Sequence, residues 1–192
     1  PLRLVGSEMC IRDRLNPEIF SPILESLKDL FKNDFRFKNL ESIFSASLNQ
    51  QNWANATRYW ISKVFEKENL IVIDADDVKL KKLFLPVFKN ELEKQFIYNS
   101  VENTNNKLRS LGYEPKINPR VLNLFFLEDK KRHRIIFENN VFKIGDSNLK
   151  LEEILSLLNS SPEKFSPNVL MRPIYQELLL PNLVYVGGPS EL

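Results

Sequence analysis

Leu70-Ile71-Val72-Ile73-Asp74-Ala75-Asp76-Asp77 sets four consecutive apolar residues against a cluster of acids. A short continuous apolar run bounded by polar residues is the pattern of a strand covered on both faces, as in a parallel sheet. Leu183-Val184-Tyr185-Val186 repeats the pattern and runs directly into Gly187-Gly188-Pro189-Ser190-Glu191. The two runs predict strands 70–73 and 183–186, parallel in one sheet. The long stretch between them then reads as an insertion into an α/β core.

That stretch changes period along its length. Phe88, Leu92, Phe96, Ile97, Val101, Leu108 and Leu111 recur at helical spacing, which predicts one helix from Pro86 to about Leu111 with Gly112 as its C-cap. The period then becomes two. Leu122–Leu127, Arg134–Glu138 and Val141–Ile144 read as strands of a small antiparallel meander, with turns at Glu128–Arg132 and Glu138–Asn140. The charged segment from Glu128 to Arg134 mixes both signs and reads as a solvated hairpin tip. Leu151–Leu158 is a further helix. Pro173 opens a short helix as its first residue, and Pro181 ends it.

Upstream of the first run the pattern is helical. Asn16-Pro17-Glu18 is a helix start, and Ile19, Ile23, Leu27 and Leu30 follow it toward Lys32. Leu40, Ile43, Phe44 and Leu48 mark a second helix. Asn52 caps a third, with Trp53, Ala56, Trp60 and Val64 on one face. The first fourteen residues read differently. The codons ATG TGT ATA AGA GAC, from a transposon adapter used in sequencing libraries, translate to Met9-Cys10-Ile11-Arg12-Asp13. Residues 1–14 are therefore expected to be a non-native, adapter-derived segment.

Composition narrows the function classes. A formal net charge of +2 leaves no global electrostatic footprint for nucleic acid or an anionic membrane, and no apolar run is long enough to span a bilayer. One cysteine excludes an internal disulfide and a cysteine-rich metal site, and one histidine leaves little for zinc or a catalytic triad. No metal, nucleic-acid or membrane partner is expected, and the cytoplasm is the favoured compartment.

Candidate chemistry gathers at the ends of the two apolar runs, because ligands of open α/β sheets bind beyond the carboxyl ends of the strands. Asp74 and Asp77 could face such a crevice or cap the next helix. Gly187, Gly188, Ser190 and Glu191 could cradle an anion with backbone N–H groups or form a plain turn. Arg172, flanked by apolar residues, either joins an internal network with Asn168, Gln176 and Glu177 or grips a substrate carboxylate or phosphate with its fork. No residue is singled out as catalytic.

The stretch from Phe165 to Glu191, FSPNVLMRPIYQELLLPNLVYVGGPSE, resembles the signature of the bacillithiol biosynthesis cysteine-adding enzymes. In that family a Ser-(Pro/Asn)-Asn segment precedes Arg-Pro, then Gln-Glu, then a strand ending in Gly-Gly-x-Gly-Glu. Ala56-Thr57-Arg58-Tyr59 and Leu70–Asp77 are similar to the family's upstream helix and strand. Ser190 departs from the pattern, standing where the family has glycine, and a serine resists positive φ.

The resemblance implies a partial Rossmann-like core interrupted by an α+β insertion. Residues 15–84 would supply part of the core, 85–160 the connecting insertion, and 161–192 the return to a truncated core. It implies a ligase that joins L-cysteine to glucosaminyl-malate in the last step of bacillithiol synthesis, with a nucleotide (ATP or ADP) for activation. It further implies substrate contacts at Asn168, Arg172, Gln176 and Glu177. A Gly-Gly-Gln loop, a Gly-Glu-Asp-His segment and a coiled coil that could form a homodimer would belong to the rest of the parent enzyme. The chain by itself is accordingly expected to be inactive. Another Rossmann-type nucleotide-binding or nucleotidyl-transfer enzyme, or a non-catalytic helical interaction module, are the alternative readings.

Overall fold

The computed structural model describes residues 15–31, 34–128, 131–184 and 186. The chain divides into two compact units, Pro1–Asp74 and Ala75–Leu192. The segment 1–14 and the loop residues Gly187, Gly188, Ser190 and Glu191 lie outside the described residues.

The first unit is helical. A short 3-10 turn, Pro17–Phe20, leads into α1 (Ser21–Phe31), followed by α2 (Phe35–Ser47) and α3 (Trp53–Val64). Polar caps start three of these elements, at Asn16 and Asn52 as the sequence predicts and at Asp34, which it does not single out. Asn16 Oδ1 accepts from the Glu18 N–H, Asp34 from that of Arg36, and Asn52 from that of Asn55. Leu15, Leu48 and Ala56 are buried, with Phe20, Leu24 and Phe44 packed against them. Phe20 is an edge-on hub, its ring centroid 5.7 Å from Phe44 and 5.4 Å from Trp53.

The second unit contains α4 (Val78–Leu83), α5 (Leu85–Lys94), α6 (Phe96–Ser110), β1 (Leu124–Glu128), β2 (Lys131–Glu138), β3 (Val141–Ile144), β4 (Ser147–Leu149), α7 (Leu151–Ser160), β5 (Phe165–Pro167) and α8 (Arg172–Leu179). The strands form one antiparallel sheet in the order β4-β3-β2-β1-β5. Asn139 and Asn140, at φ 52° and 61°, make the tight β2–β3 turn, where both positions require the left-handed region that asparagine tolerates. Side chains alternate across the strands. Leu124, Phe126, Ile135 and Phe142 enter the core with Phe88 and Leu92 of α5 and Ile154 and Leu158 of α7. Phe125, Arg132, Arg134 and Ile136 belong to the opposite face, since Phe125 pairs with Arg134 in the ladder.

Two expectations change. First, neither Leu70–Ile73 nor the described part of 183–186 forms a strand. An extended segment gains backbone hydrogen bonds only from a neighbour, and here the apolar side chains stay largely in solvent: Ile71 is 70% and Leu183 101% exposed. Second, the single helix expected from Pro86 to Leu111 is two. Gln95 adopts φ 48°, which interrupts the helix, and the Glu91 carboxylate takes up the Ile97 N–H beyond the break. β5 pairs with β1, so the sheet draws on residues either side of position 160. Gly112 caps α6 as predicted, at φ 83°, with its N–H donated to Arg109.

Candidate functional site

Asn168 organises the turn that presents Arg172. Its Oδ1 accepts from the N–H groups of Leu170 and Met171 at 3.0 and 3.1 Å, and its carbonyl accepts from the N–H of Arg172 at 2.9 Å. This Asx-type arrangement satisfies the donors at the start of α8, where Pro173 has none to offer. Its Nδ2 donates to Asn123 Oδ1 at 2.8 Å.

Asn123 in turn leads to a carboxylate in the core. Both its backbone N–H and its Nδ2 donate to Glu91 Oε1 at 3.0 Å, and the Ile97 N–H donates to Glu91 Oε2 at 3.1 Å. Glu91 is fully buried. Burial raises its pKa, and the three donated hydrogen bonds oppose that rise. The chain Glu91–Asn123–Asn168 thus ties α5, the entry to β1 and the start of α8 into one polar network. Such a network fixes geometry because each buried group has a partner.

A second buried ion anchors the acidic loop. Lys81 of α4 is wholly buried and donates to Asp76 Oδ1 at 2.6 Å and to the Glu163 carbonyl at 2.7 Å. Tyr175 Oη of α8 donates to the Ala75 carbonyl at 3.0 Å, while its ring stands edge-on to Phe84 at 4.7 Å. Asp77 caps α4, its Oδ1 accepting from the N–H groups of Lys79 and Leu80. The loop 75–77 is thereby held against α4 and α8. Asp74 ends the other unit and is half-buried.

The expected substrate residues separate into two groups. Asn168 and Arg172 line one groove of about 1030 Å³ on the second unit. Gln176 and Glu177 are exposed on α8 and do not line it. A helix turns about 100° per residue, so Arg172 and Glu177 point roughly 140° apart. The Glu177 carboxylate accepts from the Asn182 side chain at 2.8 Å and from its backbone N–H, closing the end of the helix.

Arg132 also lines the groove and was hidden in a segment that reads as a solvated hairpin tip. Its guanidinium lies 3.9 Å above the Phe125 ring and donates to the Pro167 carbonyl at 2.9 Å. Crowding by its surroundings lowers its pKa, with Asp76 acting in the other direction. An arginine remains charged through such a shift.

Comparison with known proteins settles the lineage. The family model described as bacillithiol biosynthesis BshC, N-terminal Rossmann-like domain, matches residues 7–192. The chain belongs to the BshC family. Its match begins inside the segment that reads as adapter-derived, and it places the chain among partial Rossmann-like α/β folds. A BshC of Flavobacterium johnsoniae is 41% identical over 182 residues, covering 93% of this chain and 34% of the relative; it is named "Putative cysteine ligase BshC". The protein of the same name from Christiangramia forsetii is 40% identical over 156 residues, 80% of this chain and 29% of the relative. That from Bacillus cereus is 30% identical over 161 residues, 81% of this chain and 30% of the relative. The chain therefore spans about a third of the length of the BshC relatives it matches.

Proposed function

We propose that this BshC chain is part of a ligase that forms an amide between L-cysteine and the amino sugar of glucosaminyl-malate, the last step of bacillithiol synthesis. The observation that carries the reading is the family match over residues 7–192, joined to relatives whose name specifies cysteine ligation. Within the chain, Arg172 is the residue of choice for a substrate carboxylate. Its planar fork suits bidentate recognition, and the Asn168 turn sets the backbone from which it projects. Asn168 acts through that turn as a positioning residue. Gln176 and Glu177 are assigned a supporting substrate role on the family signature.

A nucleotide for activation is the finer part of the proposal, resting on the Rossmann-like family description. Its expected loop, Gly187, Gly188, Ser190 and Glu191, lies outside the described residues, and Asp77 commits an oxygen to the α4 cap. A cytoplasmic location suits a biosynthetic enzyme acting on small polar substrates. Homodimerisation through a coiled coil belongs to the remaining length of the parent.

The test is product formation. The intact parent enzyme, supplied with L-cysteine, glucosaminyl-malate and ATP, should yield bacillithiol by mass spectrometry. The 192-residue chain should yield none under the same conditions. An intact parent without that activity, or a chain that turns over by itself, overturns the reading.

A further inference from the structure

The buried hydrogen bonds of the second unit run in one direction, from the core to the first turn of α8. Three donors converge on the Glu91 carboxylate: the N–H groups of Asn123 and Ile97, and Asn123 Nδ2. None of them can accept a bond in return. The Asn123 amide is spent in full. Its Nδ2 donates to Glu91 Oε1 and, at 2.9 Å, to the Arg120 carbonyl, while its Oδ1 accepts from Asn168 Nδ2. An amide has one donor end and one acceptor end. The carboxylate therefore turns the Asn123 oxygen towards Asn168, and Asn123 in turn leaves the Asn168 oxygen for the N–H groups of Leu170 and Met171. Rotating either amide by half a turn would set donor against donor and acceptor against acceptor.

Apolar packing alone does not fix that first turn. Met171 and Tyr175 are buried and seat α8 in the core, but such burial is non-directional. Hydrogen bonds carry direction. The Asn168 N–H reaches the Asn123 carbonyl at 3.0 Å, and the Arg172 N–H reaches the Asn168 carbonyl at 2.9 Å. A carboxylate enclosed beside Phe88 and Leu92 is a costly group to bury. What it adds over an apolar residue of the same size is an acceptor for three donors and, through them, one orientation at Arg172.

We propose that Glu91 and Asn123 are positioning residues for ligation, holding the first turn of α8 so that the Arg172 fork meets the substrate carboxylate. The proposal rests on the substrate role of Arg172 in the ligase reading. Glu91 and Asn123 are 0% and 1% exposed, so they act through Asn168 and not by contact with substrate. Misplacing a binding group by about 1 Å is enough to lower activity far from the altered residue.

The test is a set of double-mutant cycles in the intact parent enzyme, with steady-state kinetics and thermal melts on every variant. Asn123→Ser is too short to reach Asn168 yet keeps a hydroxyl for Glu91. Glu91→Met removes the acceptor at similar length, and Glu91→Gln can keep one oxygen towards Asn123. Asn123→Ser and Glu91→Met should each raise KM for glucosaminyl-malate by about threefold to thirtyfold and leave KM for cysteine unchanged. Glu91→Gln should recover most of that loss. In an Arg172→Ala background the same substitutions should have little further effect, because the group they position is gone. Leu158→Ala, a truncation of the α7 core outside the network, should lower the melting temperature without raising KM. Unchanged KM in the folded Asn123→Ser enzyme overturns the proposal. So does an undiminished effect in the Arg172→Ala background, or a rise in KM for Leu158→Ala as large as that of the network variants. Arg172→Ala with unaltered kinetics would instead end the substrate role of Arg172, and the proposal with it.

Discussion

Glu91 and Asn123 share a doubled hydrogen bond, the backbone N–H and the side-chain amide of Asn123 both reaching Glu91 Oε1 at 3.0 Å. The pairing places a carboxylate at the centre of an apolar core between Phe88 and Leu92. Its other oxygen bridges the break between α5 and α6. Through Asn168, the same network reaches the turn that presents Arg172.

Because burial raises the pKa of Glu91, its contribution to stability depends on pH. Below the ordinary carboxylate range both folded and unfolded chains are protonated there. As pH rises, the unfolded chain ionises first, so stability falls until the folded-state pKa is passed and stays lower above it. Glu91→Gln lacks this dependence. The melting-temperature difference, wild type minus variant, should shrink as pH rises through and above the ordinary carboxylate range. A difference independent of pH contradicts the assignment.

Asn168→Ala should destabilise the protein by about 1–3 kcal/mol, because the Leu170 and Met171 donors and Asn123 Oδ1 lose their partner. Denaturant unfolding measures this. Asn168→Asp keeps the acceptor for the turn but loses the donor to Asn123, so it should recover only part of the loss. Equal stability of wild type and Asn168→Ala would remove the network from the account.

Lys81→Met keeps much of the buried volume and removes the cation. It leaves the Glu163 carbonyl and Asp76 without that donor. The expected cost is about 2–4 kcal/mol, below the upper range for a buried pair because Asp76 reaches solvent. Urea unfolding checks the value. A change below about 0.5 kcal/mol would mean that Lys81 does not anchor the loop.

Much of the fold is legible in local chemistry. Asn16 and Asn52 announce helix starts, Gly112 announces a helix end, and Asn139-Asn140 announces the hairpin. The α5–α6 break is hidden because Gln95 supplies no Gly or Pro signal, and its left-handed backbone is accommodated by the Glu91 side chain bonding across the break and by Gln95 Nε2 donating to the Leu92 carbonyl. β4 and β5 are three residues each, too short for a period to register. Leu70–Ile73 carries a strand's composition without a hydrogen-bonding neighbour among the described residues. At the site, the Asn-x-x-x-Arg spacing of 168 and 172 is readable, whereas Glu91 and Asn123 read as ordinary polar residues. A signal for Glu91 exists: it is a charged residue three positions after Phe88 and adjacent to Leu92, on the apolar face of its helix. Arg132 was masked by its charged neighbours, and only the β1–β2 register places it over Phe125.

The central claim is that Arg172 binds substrate in the ligase. Arg172→Ala and Arg172→Lys in the intact parent, with melting temperature and steady-state kinetics measured together, test it most directly. The account predicts near-normal stability and kcat/KM for glucosaminyl-malate lowered by about 2–5 kcal/mol equivalent in the alanine variant. Lysine should rescue poorly, because it lacks the bidentate fork. Unchanged kcat and KM in a destabilised protein would contradict the claim and reduce Arg172 to a structural residue.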